Sequence, residues 1–241
     1  MQVSGKSIVI TGGTDGIGLR IARQLQAKGA KVIITGRNAA RIEAAHAEGF
    51  EVIAADLSDL AGVGALVTAL VERDFDILIN NAGAGSDHDF RDAAAIDLAD
   101  NDRCIFLNLN APVHLTTQLM PMLQSRPEAM IVNVTSGLAI APRAGGPIYC
   151  ATKAGLRSYT LALRAQLAGT KVHVLEALPP VVDTQLTAGR GSNKMSPEDC
   201  AKQIVSAIER GANEANVGMV KILRAVYSLS PALARRIMIK F

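Results

Sequence analysis

Aromatic side chains make up only 3% of the 241 residues, and tryptophan is absent. A surface that stacks nucleic-acid bases needs such rings, so no nucleic-acid partner is expected. Cysteine is scarce too. Cys104, Cys150 and Cys200 show no CxxC or other metal spacing, and His46, His88, His114 and His173 are scattered, so no metal site is expected. Three such scattered cysteines suit a reducing compartment. The formal net charge of +3 is too small to call for a polyanionic partner. No apolar run reaches the ~20 residues of a membrane span, and no secretory pattern opens the chain. The expected location is therefore the cytoplasm. Apolar residues make up 49% of the chain, enough for a large aliphatic core.

Short β-branched runs alternate with helical patterns. Strands are expected at Ser7 to Thr11, Lys31 to Thr35, from Glu51, at Asp76 to Ile79, from Met130 and from Lys171. Between them helices are expected at 16–28, 38–48, 59–72, 99–124, 149–167 and 196–210, with Gly29 closing the first and Pro197 opening the last. Alternation without hairpins means parallel strands and right-handed crossovers. The fold class is α/β, a doubly wound parallel sheet of the Rossmann type. No linker or repeat divides the chain, so residues 1–241 form a single domain.

Glycines gather between the first strand and the first helix, in Thr11-Gly12-Gly13-Thr14-Asp15-Gly16-Ile17-Gly18. Glycine lets backbone approach a pyrophosphate, and a helix N-terminus offers free N–H groups to it. Asp56 follows the third strand, where its carboxylate can accept from an adenine amino group. Asn80-Asn81-Ala82-Gly83 follows the fourth, where small residues leave room for a ribose. All three motifs stand at carboxyl ends of strands, where a dinucleotide lies in such sheets.

Tyr149 and Lys153 are spaced i,i+4 and share a helix face. A tyrosine is a poor base near pH 7, but a neighbouring ammonium favours its phenolate. The pair can therefore take or give a proton during hydride transfer. Ser136 ends the fifth strand and can hydrogen-bond a substrate oxygen. Asn108, on the preceding helix, can hold a water that feeds protons to Lys153.

TGGTDGIG, NNAG, Asn108, Ser136 and Tyr149-Cys-Ala-Thr-Lys153, in this order, resemble the short-chain dehydrogenase/reductase family over roughly the first four-fifths of the chain. The variant looks like its DltE-like bacterial branch. The resemblance implies an active tetrad of Asn108, Ser136, Tyr149 and Lys153. Tyr149 would be the general acid/base, Lys153 would hold the nicotinamide ribose, and Ser136 would orient the carbonyl. Asn110 is a nearby alternative to Asn108, which fits the family spacing better with Ala111 in place of its glycine. The implied cofactor set comprises Gly12, Thr14, Asp15, Gly16, Ile17, Gly18, Arg37, Asp56, Leu57, Asn81, Ala82, Gly83, Tyr149, Lys153, Pro179, Val182 and Thr184. Val182 and Thr184 match positions that hold the carboxamide. Pro179-Pro180 departs from the family's Pro-Gly and removes an N–H donor there.

The expected activity is hydride transfer between a nicotinamide and a small carbonyl or alcohol substrate. The alternative is a dinucleotide-sensing regulator without chemistry, which would not need Ser, Tyr, Lys and Asn together. The second strand ends in Thr35-Gly36-Arg37 with no acid to bind a ribose diol, whereas Arg37 can pair with a 2′-phosphate. NADP(H) is thus favoured over NAD(H), with Asp15 as a signal against it. Thr184 to Met195, rich in Gly, Ser and Asn, is expected to be a mobile lid. The segment from Lys221 to Phe241 is a basic, apolar tail without acids. The favoured expectation packs it on the body or on a second subunit, with docking on an anionic membrane as the alternative. A homo-oligomer is expected, with dimer and tetramer both open.

Overall fold

The computed structural model describes residues 1–189 and 191–240. Seven parallel strands run in the order β3-β2-β1-β4-β5-β6-β7. They are β1 (Ser7–Ile10), β2 (Lys31–Gly36), β3 (Glu51–Ala54), β4 (Ile77–Asn80), β5 (Ala129–Val134), β6 (Val172–Leu178) and β7 (Glu214–Asn216). The strand period of two sorts the aliphatic residues onto two faces. Ile8 and Ile10 enter one core, with α1 (Gly16–Ala27) and α7 (Pro197–Glu209). Val9 enters the other, with α3 (Leu60–Leu70), α5 (Ala111–Ser125) and α6 (Pro147–Gln166). Both faces are covered, as an all-parallel sheet requires. The doubly wound α/β fold is as the alternation predicts.

Helix entries follow local chemistry. Asn38 caps α2 (Ala39–Ala47) by accepting from the Arg41 N–H at 3.0 Å. Asp59 caps α3 in the same way, and Ser196 caps α7 just before Pro197. Gly29, at φ +83, follows the end of α1 as expected.

Two elements differ from expectation. The helix predicted over 99–124 is α4 (Leu98–Ile105), one wide π turn (Phe106–Asn110) and then α5. Pro112 explains the change, because it has no N–H to close an α-helical bond to the Asn108 carbonyl. Strand β7 was not expected. Its Glu-Ala-Asn sequence buries only Ala215 and carries no hydrophobic pattern.

The tail forms α8 (Val220–Leu229) and α9 (Pro231–Met238). They turn at Ser230, whose hydroxyl caps α9 by accepting from the Leu233 N–H. Val220, Leu223 and Tyr227 pack on Ile140 and Leu178, as a tail packed on the body predicts. The last residue of that expectation, Phe241, lies outside the described residues, as does Arg190 of the expected lid. The segment expected to be a lid is pinned at its base. Val182 bridges Met195, and the Asp183 N–H donates to the Met195 carbonyl at 2.9 Å.

Candidate active site

Strand order reverses between β1 and β4, and a cleft of about 570 Å³ opens there at the carboxyl ends. One wall is the glycine-rich turn. Gly12, at φ +62, sits so close to Ala82 that a Cβ would come within 2.9 Å of the Ala82 Cα. Gly18 packs against Asn81 with no room for a side chain. Asn81 stitches the two turns together, donating from Nδ2 to the carbonyls of Thr11 (3.0 Å) and Gly12 (3.1 Å). The Thr11 hydroxyl oxygen accepts from the N–H groups of Asn81 and Ala82, both at 3.0 Å. Asn81 thus holds the turn after β4 against the turn after β1.

The N-terminus of α1 forms the floor of this end. Asp15 stands at its cap position but makes no side-chain capping bond, so the first-turn N–H groups face the cleft without that partner. The Asp15 carboxylate instead pairs with Arg41 at 3.0 Å. Arg37 pairs with Asp56 at 2.9 Å. Burial pushes the Asp56 carboxyl up, but the bonds from Arg37 and Ser58 outweigh it and hold the group below its ordinary value. Two guanidiniums therefore stand on this rim, each held by an internal carboxylate. Sequence reasoning named Arg37 and missed Arg41. The signal was its place one helical turn after Arg37, which brings both residues to the end of β2.

The other end holds the predicted proton-transfer pair. The Lys153 ammonium lies 5.8 Å from the centre of the Tyr149 ring and donates to the Val134 carbonyl at 2.9 Å. It is buried. Burial lowers its pKa from the usual 10.5 to about 8, with the nearby Cys104 thiol opposing. Ser136 caps a short 3-10 turn, its hydroxyl oxygen accepting from the Leu138 N–H at 3.1 Å. Its O–H proton is not used in that bond.

Asn108 lies in the π turn, fully buried. It forms a reciprocal pair with the Ala84 backbone. Oδ1 accepts from the N–H and Nδ2 donates to the carbonyl, both at 2.9 Å. Nδ2 also reaches the Thr152 hydroxyl at 3.1 Å. It thus joins the loop after β4 to helix α6 just beside Lys153. Gly83 is tight against it, since a Cβ there would lie 2.9 Å from Oδ1.

The cleft brings together Gly12, Thr14, Asp15, Gly16, Ile17, Arg37, Asp56, Leu57, Asn81, Ala82, Gly83, Tyr149, Lys153, Pro179 and Thr184. Gly18, Asn108, Ser136 and Val182 stand behind or beside that lining. Among the described residues, no three or more His, Cys, Asp or Glu gather as a metal site.

The short chain dehydrogenase family model matches residues 6–195. The chain belongs to this family. It is 39% identical to the uncharacterized oxidoreductase DltE of Bacillus subtilis, over 93% of this chain and 92% of that one. It is 36% identical to a serine 3-dehydrogenase of Agrobacterium fabrum, over 82% of this chain and 81% of that one. A short chain dehydrogenase from Burkholderia cenocepacia, solved in complex with NADP, shares the fold at a TM-score of 0.87, with 23% identity and all of both chains covered. The protein is accordingly a short-chain dehydrogenase/reductase, an NAD(P)-dependent oxidoreductase of the DltE-like branch. No helix among the described residues is long and apolar enough to cross a membrane.

Proposed function

We propose that this enzyme transfers hydride between NADP(H) and a small carbonyl or secondary alcohol, with Tyr149 as general acid/base. One observation carries the reading: a single cleft holds an uncapped helix N-terminus and two arginines at one end and the Tyr149–Lys153 pair at the other. The residues fit a dinucleotide. The α1 N–H groups suit a pyrophosphate, and the small Ala82 and Gly83 leave space for a ribose. Arg37 and Arg41 suit a 2′-phosphate, which would compete with Asp56 and Asp15 for them.

The bound nicotinamide would supply or accept the hydride. The protein handles the proton. Tyr149 Oη gives its proton to the substrate oxygen in reduction and takes it back in oxidation. The Lys153 ammonium favours the phenolate left behind. Ser136 directs its O–H at the substrate oxygen, while Asn108 positions the Ala84 loop and α6 around Lys153. The buried, unpaired Cys104, Cys150 and Cys200 suit a reducing compartment such as the cytoplasm.

The similarity to a serine 3-dehydrogenase makes small 3-hydroxy acids the first substrates to try. Reduced-nicotinamide absorbance in a screen of hydroxy acids, alcohols and ketones would identify a substrate. On it, Tyr149→Phe should lower kcat by at least about 100-fold while cofactor still binds. Near-native turnover by this variant would refute the mechanism.

A further inference from the structure

Nearly half of the large apolar side chains that the described residues leave exposed lie between Met219 and Ile239. Helix α8 carries two apolar stripes. Val220, Leu223 and Tyr227 face the body, while Ile222 and Leu229 face outward, with Leu229 88% exposed. On α9, Ala234 is buried, whereas Leu233 and Ile237 are exposed one turn apart. Packing on the body therefore uses only one side of the hairpin. The same segment exposes Lys221, Arg235, Arg236 and Lys240, and residues 221–241 contain no acid.

We infer that the α8–α9 hairpin docks the enzyme on an anionic lipid surface. Exposed apolar side chains on a helical hairpin whose own charges are all cations match such a surface in both respects. The apolar groups enter the acyl boundary and the cations meet the headgroups. A second copy is a poorer occupant. Self-pairing of this patch brings Arg235 and Arg236 toward the same cations across the two-fold, with no carboxylate of the tail to receive them. The docked hairpin also lies against the loop that starts at Ser136. Val220 and Leu223 approach Gly137, and the Ile239 carbonyl accepts from the Ala144 N–H at 3.1 Å. Docking thus sets the substrate side of the cleft near the membrane.

The test is co-sedimentation of the full chain with phosphatidylglycerol/phosphatidylcholine vesicles at low salt. Pelleting with these vesicles, but not with phosphatidylcholine alone, and release by high salt are expected. Arg235→Gln with Arg236→Gln should weaken partitioning roughly 10- to 30-fold. Leu229→Glu should weaken it comparably, with thermal melts confirming that each variant folds. Protein that stays in the supernatant with anionic vesicles, or variants that pellet like the parent, would overturn the inference. So would a dimer, seen by analytical ultracentrifugation, that Leu229→Glu dissociates.

Discussion

Lys153 is held where an ammonium is costly. It is buried, it donates to the neutral Val134 carbonyl, and burial lowers its pKa to about 8. Relative to its usual 10.5, this corresponds to roughly 3 kcal/mol against the charged form at neutral pH. Lys153→Met removes that cost but leaves the Val134 carbonyl without its donor, which returns ~1–2 kcal/mol. The variant should therefore gain about 1–2 kcal/mol at pH 7 while losing turnover. The sign of the pH dependence is fixed by the lowered value. Between about pH 8 and 10.5 the unfolded lysine binds more protons than the folded one, so the parent gains stability as pH rises. The advantage of Lys153→Met should shrink across that window and be gone above it. Urea unfolding at several pH values would read this, and an advantage that grows above pH 8 would contradict it. At the far end of the cleft, Arg37→Ala and Arg41→Ala should each weaken NADPH binding by ~10- to 100-fold and NADH binding far less. Equal losses for both nucleotides, measured by fluorescence titration, would remove the arginines from 2′-phosphate recognition.

Single residues act through the elements that carry them, and α6 shows this most directly. One face of the helix presents Tyr149 and Lys153 to the cleft. One turn beyond Lys153, Arg157 pairs with Glu176 of β6 and reaches Glu214 of β7 at 3.3 Å. Glu176 is fully buried and also accepts from the Thr135 hydroxyl at 2.7 Å. Arg224 of α8 stands 3.6 Å from Glu214, so the tail joins the same charge cluster. Arg157→Met leaves a buried carboxylate without its cation and should cost ~3–5 kcal/mol. Adding Glu176→Gln should recover most of that loss, because the uncompensated charge is then gone. A double variant as unstable as the single one in denaturant melts would mean that packing, not charge, holds α6 to the sheet. How far these elements can be read in advance depends on pattern strength. Strands β1 to β6 carry β-branched runs, and α2, α3 and α7 carry capping side chains at their entries, so these elements were legible. Strand β7 is three residues long and pairs only at the sheet edge, so its pairing is dictated by tertiary contact. The π turn was marked only by Pro112, which a hydrophobic period smooths over. In the site, glycines and the Tyr-Lys spacing were readable because they are local. The pairing of Arg41 with Asp15 and of Arg37 with Asp56 joins separate turns, and no local pattern announces it.

At the scale of the whole molecule, the cleft lies across the point where the sheet changes direction. Its lining comes from the turn after β1, the ends of β2 to β5, Arg41 of α2, Leu107 of the π turn, Tyr149 and Lys153 of α6, and Pro179 with Thr184 to Leu186. A ligand there touches both halves of the sheet and should stabilise the fold as a unit rather than order one loop. Linkage sets the size of the effect. A ligand that binds only the folded chain, at about 100 times its dissociation constant, contributes roughly 2.7 kcal/mol. For a chain of this length each kcal/mol moves the melting midpoint by ~2–4 °C, so NADPH should raise Tm by ~5–10 °C. NADH at the same concentration should give a clearly smaller rise, because it lacks the phosphate that Arg37 and Arg41 would hold. Arg41→Ala should bring the NADPH shift down toward the NADH value without lowering the Tm of the free protein by a comparable amount, since its ion pair with Asp15 is solvent-exposed. Differential scanning calorimetry with each nucleotide would check all three. Equal shifts for NADH and NADPH would sink the cofactor preference but leave the cleft intact. No shift with either nucleotide, at concentrations that saturate other members of the family, would remove the dinucleotide from the cleft altogether.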